Sequence, residues 1–195
     1  MTVLKDLIFH ISETLLVPCL LLLAAFFAWT LVMLGSFARE AFDRRRAEAR
    51  WRAFVEGRSD MGSVASIPGA RGRFAACLRE RGHDGLLMEK HLQDAEMSMT
   101  KVVERASLAS KLGPMLGLMG TLIPLGPALR SMADGSVAGL SENLIVAFAT
   151  AVVGLAVAGP CFWMASVLRR WYERDLSDME FAWKRSSGGS AEGAS

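Results

Sequence analysis

Little in this sequence invites soluble chemistry. Its three cysteines, Cys19, Cys77 and Cys161, are too few for a disulfide framework and show no metal-ligand spacing. A net charge of only +2 gives no global basic excess, so no nucleic-acid partner is expected. The chain also lacks a phosphate-binding loop, a nucleophilic triad and a catalytic carboxylate pair, so neither an enzyme nor a cofactor is expected. The most informative lack is local. Charged residues make up 22% of the chain, yet three long stretches contain none.

The first uncharged stretch runs over residues 14–38, the second over 112–129 and the third over 143–168. A bilayer core about 30 Å thick needs roughly 20 helical residues at 1.5 Å each. The first and third are long enough alone, and the second is marginal at 18 residues. Three buried core helices would need amphipathic partners that this chain lacks, so the stretches read as transmembrane helices. The first far exceeds the apolar core of a signal peptide and runs into Arg39 and Arg44-Arg45-Arg46, as a stop-transfer anchor does. Cys19 and Cys161 then fall within spans as small packing residues.

Orientation follows from the basic residues. Fifteen Lys and Arg lie between Arg39 and Lys111 and five follow Leu168, against Lys5 alone before the first span and Arg130 alone in the last loop. The positive-inside rule puts the amino terminus outside and the carboxyl terminus in the cytoplasm. The expected class is therefore an all-α, multi-pass integral membrane protein with long cytoplasmic helical extensions, set in a lipid bilayer.

Residues 1–13 place Val3, Leu4, Leu7, Ile8 and Ile11 at amphipathic spacing, which predicts a helix on the outer membrane surface. The cytoplasmic region, 39–111, opens with a charged helical extension carrying Phe42, Trp51 and Phe54. Four glycines and Pro68 between residues 57 and 72 then break it, and a short helix is expected around Phe74 to Arg81. From about Leu86 one long helix is expected to enter the membrane. Leu92, Ala95, Met99, Val102, Ala106, Ala109, Gly113, Leu116, Gly120 and Ile123 alternate steps of three and four, a 3.5-residue seam. Residues 130–142 form an extracytoplasmic loop, 169–185 a cytoplasmic helix, and the low-complexity tail 186–195 is expected to be disordered.

Small residues crowd the last two spans: Gly113, Gly117, Gly120 and Gly126 in one, and Ala147, Ala151, Gly154, Ala158 and Ala165 in the other. Lipid supplies no hydrophobic drive between helices, so such faces pack backbone to backbone against protein. Three helices carry more of these faces than one copy can bury, which predicts a homo-oligomer. Pro124 and Pro127 interrupt the outer half of the second span, where a freed carbonyl must face protein or water.

No span contains Asp, Glu, Lys, Arg or His, so the chain has no proton relay of its own. Thr121 and Thr150 offer hydroxyls instead, either as packing residues bonded to their own backbone or as the lining of an ion path. His83, Asp84, Glu89, His91 and Asp94 read as a solvated surface rather than a metal site. Arg44-Arg45-Arg46 reads as a topogenic clamp, and Trp163, Trp171 and Tyr172 as an interfacial belt.

The run GPMLGLMGTLIPLGPAL followed by ATAVVGLAVAGP resembles the MotA/TolQ/ExbB proton-channel family over about residues 105–170. Three spans and a large loop after the first look more like its ExbB/TolQ branch. The resemblance implies a homopentameric ring around a pore holding a bitopic partner of the ExbD/TolR/MotB type, as a dimer. In that family the partner supplies a membrane Asp and ring threonines help the ion reach it, so that ion-motive force becomes mechanical work across the envelope. Thr121 matches the family threonine of the second span, Pro114 the proline before its Gly-Leu run, and Gly154, Leu155 and Pro160 the third-span pattern. Pro124 departs from a usual Gly. Ala151 stands where the third-span Thr is usual, with Thr150 one residue, about 100° of helix, away. A missing hydroxyl there points to protons rather than sodium. Ala151 and Pro124 also leave room for a non-conducting scaffold that anchors a partner complex.

Overall fold

A computed structural model describes residues 2–58, 64–67, 69–81 and 85–192. His83, Asp84 and the side chains of Val3, Leu4 and Ile8 lie outside the described residues. Among those described, the elements are four helices: α1 (Thr2–Val55), α2 (Ala70–Arg81), α3 (Gly85–Ala133) and α4 (Val137–Glu192). Helices α1, α3 and α4 are each long and apolar enough to cross a membrane. The amphipathic start and the first apolar run belong to one helix, and α4 continues unbroken into its charged half. Contacts divide the chain into two compact units, one of residues 1–35 and 105–165, the other of residues 36–104 and 166–195.

The first unit holds the apolar helices. The extracytoplasmic loop expected over 130–142 contracts to a turn at Asp134–Ser136, with helix on both sides. Gly135 takes φ 75°, a conformation open to glycine, so that its N–H reaches Met132 O and that of Ser136 reaches Ser131 O. The Ser136 hydroxyl then accepts from the Gly139 N–H at 3.3 Å, capping α4. One turn thus stops α3 and starts α4, and the two return antiparallel.

Helix α1 packs on both partners through small polar groups. Cys19 Sγ donates to Leu116 O at 3.6 Å, and Thr30 Oγ1 lies 3.6 Å from Cys161 Sγ while donating to Phe26 O at 2.8 Å. These groups are buried, whereas Val17, Leu21, Leu31 and Val32 are exposed, as lipid-facing side chains are.

The second unit has an aqueous-type core of Trp51, Phe54, Val64, Ile67, Phe74, Leu78, Met88 and Met179. At its edge a carboxylate is buried at 1% exposure: Asp175 of α4. Arg44 of α1 grips it with two bonds, at 3.0 and 2.7 Å, and Arg71 of α2 adds two more, at 2.9 and 2.5 Å. Arg44 also donates to Glu40 at 3.1 Å, and Tyr172 donates to Glu40 at 3.2 Å. The guanidiniums lie over rings, Arg44 on Trp171 and Tyr172, Arg71 on Trp51, at 5.1 to 5.3 Å. Three helices are therefore joined through one carboxylate. Further on, Gly57 at φ 79° ends α1, and Arg185 of α4 donates to the carbonyls of Phe54 and Val55 there.

Removing one partner from a buried ion pair leaves an uncompensated charge and costs about 3–5 kcal/mol, whereas an exposed pair costs under about 1 kcal/mol. Asp175→Ala should therefore lower the thermal midpoint sharply, while Lys184→Ala, which breaks the exposed pair with Glu180, should barely move it. Near-ultraviolet circular dichroism of the detergent-solubilised protein measures both. Equal midpoints would show that the carboxylate contributes nothing.

Candidate ion path and helix interface

The packing residues expected in the last two spans meet each other in the first unit. A Cβ on Gly113 would stand 2.9 Å from Gly154 O, and one on Gly117 would stand 3.2 Å from Gly154 Cα. From the other side, a Cβ on Gly154 would come within 2.8 Å of both Gly113 O and Gly117 Cα. Backbone lies against backbone here, with no space for a methyl. Gly120 faces Thr150, whose Cβ and Oγ1 would be 2.7 and 2.8 Å from an added Cβ. The first small-residue face is thus covered by the chain's own hairpin.

Its phase differs from the 3.5-residue seam. In this unit the buried positions of α3 are Ala106, Ala109, Gly113, Gly117, Gly120, Pro124 and Ala128, six steps over 22 residues. That is close to the 3.6 of an unstrained helix, so no left-handed supercoil is needed to keep the face inward. Leu116 and Ile123 move to its edge, because Gly117 rather than a leucine lets Gly154 approach.

The two hydroxyls have different surroundings. Thr150 is 4% exposed, enclosed against Gly120, and donates to Ala147 O at 2.8 Å. Thr121 is half-buried and donates to Leu118 O at 2.7 Å. Ala151 is half-buried too, and its Cα would lie 3.7 Å from a Cβ on Gly117. Thr150 and Ala151 are thereby brought to the α3–α4 contact, whereas Thr121 sits on its flank.

The prolines are spread more widely. Pro124 is fully buried, Pro114 exposed and Pro160 half-buried. Helix α3 runs through Pro114, Pro124 and Pro127, and the ring at Pro124 has no N–H to give the carbonyl of Gly120. Ala147 is buried at 6% and Ala158 half-buried. Beyond the hairpin, Met115, Leu118, Leu122, Phe148, Val152 and Leu155 are exposed. Two polar features had no sequence expectation. The Thr30–Cys161 contact left no signal. Asp175 left one: with Leu168, Tyr172, Met179 and Ala182 it continues an inward spacing of four and three, so a charge sits on a packing position.

Forcing a methyl into the backbone contact should separate the helices. Gly154→Ala is expected to destabilise the solubilised protein by about 1–3 kcal/mol. Gly159→Ala, with nothing within 4 Å of its Cβ, should leave stability unchanged or raise it slightly. Thermal unfolding of both variants measures the difference, and equal losses would place the constraint elsewhere.

Comparison with curated proteins and with solved structures gives no match. Comparison with protein families gives one over residues 79–181, more than half of the chain, which takes in all of α3, the turn after it, α4 as far as residue 181, and Thr121. This chain belongs to the MotA/TolQ/ExbB proton channel family.

Proposed function

We propose that this chain is the ring subunit of a proton-driven membrane motor of the ExbB/TolQ type, and not an enzyme. Copies of it, five in this reading, surround a pore holding a dimer of a bitopic partner of the ExbD/TolR/MotB kind. The ring sits in the cytoplasmic membrane with its amino terminus outside and its carboxyl terminus in the cytoplasm. The observation that carries the reading is a complementarity. The chain belongs to a proton channel family, yet its three uncharged stretches hold no Asp, Glu, Lys, Arg or His to take up and release a proton. The missing carboxylate must come from another polypeptide, and a membrane Asp on the partner supplies it.

Exposure divides the candidate path residues. Thr121 keeps part of its surface outside the hairpin and is the group that a guest helix can reach, whereas Thr150 is enclosed in the packing. Ala151, at the position where the family usually has a hydroxyl, brings no oxygen ligand and favours protons over sodium. A second reading, a non-conducting scaffold that anchors a partner complex, draws on Ala151 and on the buried Pro124.

Proton flux into vesicles containing this protein and a one-span, Asp-bearing partner tests the proposal. Flux should require the partner, fall at least several-fold in Thr121→Val, and change little in Thr150→Val, which keeps the packing shape. No flux with any partner would support the scaffold, and full flux in Thr121→Val would remove that residue from the path.

A further inference from the structure

The second unit contains a cavity of about 390 Å³, within the size range of small-ligand sites. Four arginines and three acids line it, but they are not equally available. Asp175 is taken up by Arg44 and Arg71, and Glu40 by Arg44 and Tyr172. Arg39 and Arg73 are left on the wall, exposed and without an ion pair among the described residues. Asp43 is the remaining acid there. Taken together, the residues lining the cavity carry a net positive charge.

Two further features bear on what such a cavity holds. Helix α2 begins at it: Gly69, Ala70 and Arg71 form part of the lining, and the first turn of α2 contains no acidic residue. The amides of that turn, which have no partner within the helix itself, add positive potential to the arginines. Apolar side chains, Ile67, Met99 and Val102, complete the wall, so the occupant presents hydrocarbon as well as an anion. On α1, Arg39 directly follows the uncharged run of residues 14–38.

We propose that this cavity binds a phosphate ester, held by Arg39 and Arg73 at the start of α2, with the hydrocarbon next to the phosphate lying against Ile67, Met99 and Val102. Guanidinium forks suit phosphate oxygens, which they bind with paired charge-assisted bonds. An anionic phospholipid and a soluble phosphate compound share this chemistry. The site makes no use of Thr121 or of the glycine contact, so it stands apart from the proposed motor.

Full-length protein in neutral detergent tests the proposal, with phosphatidylglycerol, phosphatidylcholine and inorganic phosphate as probes. Lipid retention is read by native mass spectrometry, and the thermal midpoint is followed in parallel. Phosphatidylglycerol should be retained and raise the midpoint more than phosphatidylcholine. The combined Arg39→Gln and Arg73→Gln variant should bind it about twenty-five-fold more weakly, at about five-fold per arginine near a lipid surface. Asp43→Asn should bind it more tightly. Binding of inorganic phosphate with the same dependence on these residues would identify a soluble source, and phosphatidylglycerol alone a lipid one. Retention indifferent to headgroup charge, with no phosphate binding, would overturn the site. If the arginine variant fails to fold, an unchanged affinity in Asp43→Asn overturns it equally.

Discussion

The apolar half of this protein depends on the contact of two helix backbones at Gly113, Gly117 and Gly154. In lipid, side chains gain nothing by leaving hydrocarbon for a protein neighbour of equal polarity, so cohesion has to come from close van der Waals approach. Glycine permits that approach because hydrogen is all that separates the two main chains. Several other features follow. The turn at Gly135 must be short, so the helices can return at that spacing. Thr150 is enclosed because Gly120 opposite it has no side chain. The large apolar residues are displaced to the outer faces, where lipid or further copies can take them.

The charged half is held differently. Water is available to the unfolded chain there, and burying a carboxylate from water is costly unless opposite charges meet it. Asp175 meets two guanidiniums, each of which also lies over an aromatic ring, so that charge, hydrogen bonding and ring packing converge on one atom pair. Such a joint gives direction where a greasy contact would slide. It fixes α1, α2 and α4 of that unit in one register.

Much of this was readable from the chain alone. Long uncharged runs announce membrane helices because each charge in hydrocarbon is expensive, and the Gly-Leu-x-Gly-Thr run carried the family. The phase of the α3 face was harder. Leu116 and Gly117 both suit a three-four alternation, and only the size of the facing residue, Gly154, selects the glycine. Asp175 was harder still. In a run as charged as RRWYERDLSDMEFAW a carboxylate looks solvated, and its two partners are distant in sequence, at Arg44 and Arg71. Pairing over such separations is set by the tertiary fold, which no local pattern encodes.

Thr121 has one further property. Its hydroxyl hydrogen is already directed at Leu118 O, so what it turns outward is a pair of lone pairs. Such a group can receive a hydrogen but has none to offer. It would welcome a protonated acid and ignore an ionised one, until its rotor swings away from the helix. In the ring proposed above, such threonines would therefore respond to the charge state of a guest carboxyl without changing their own.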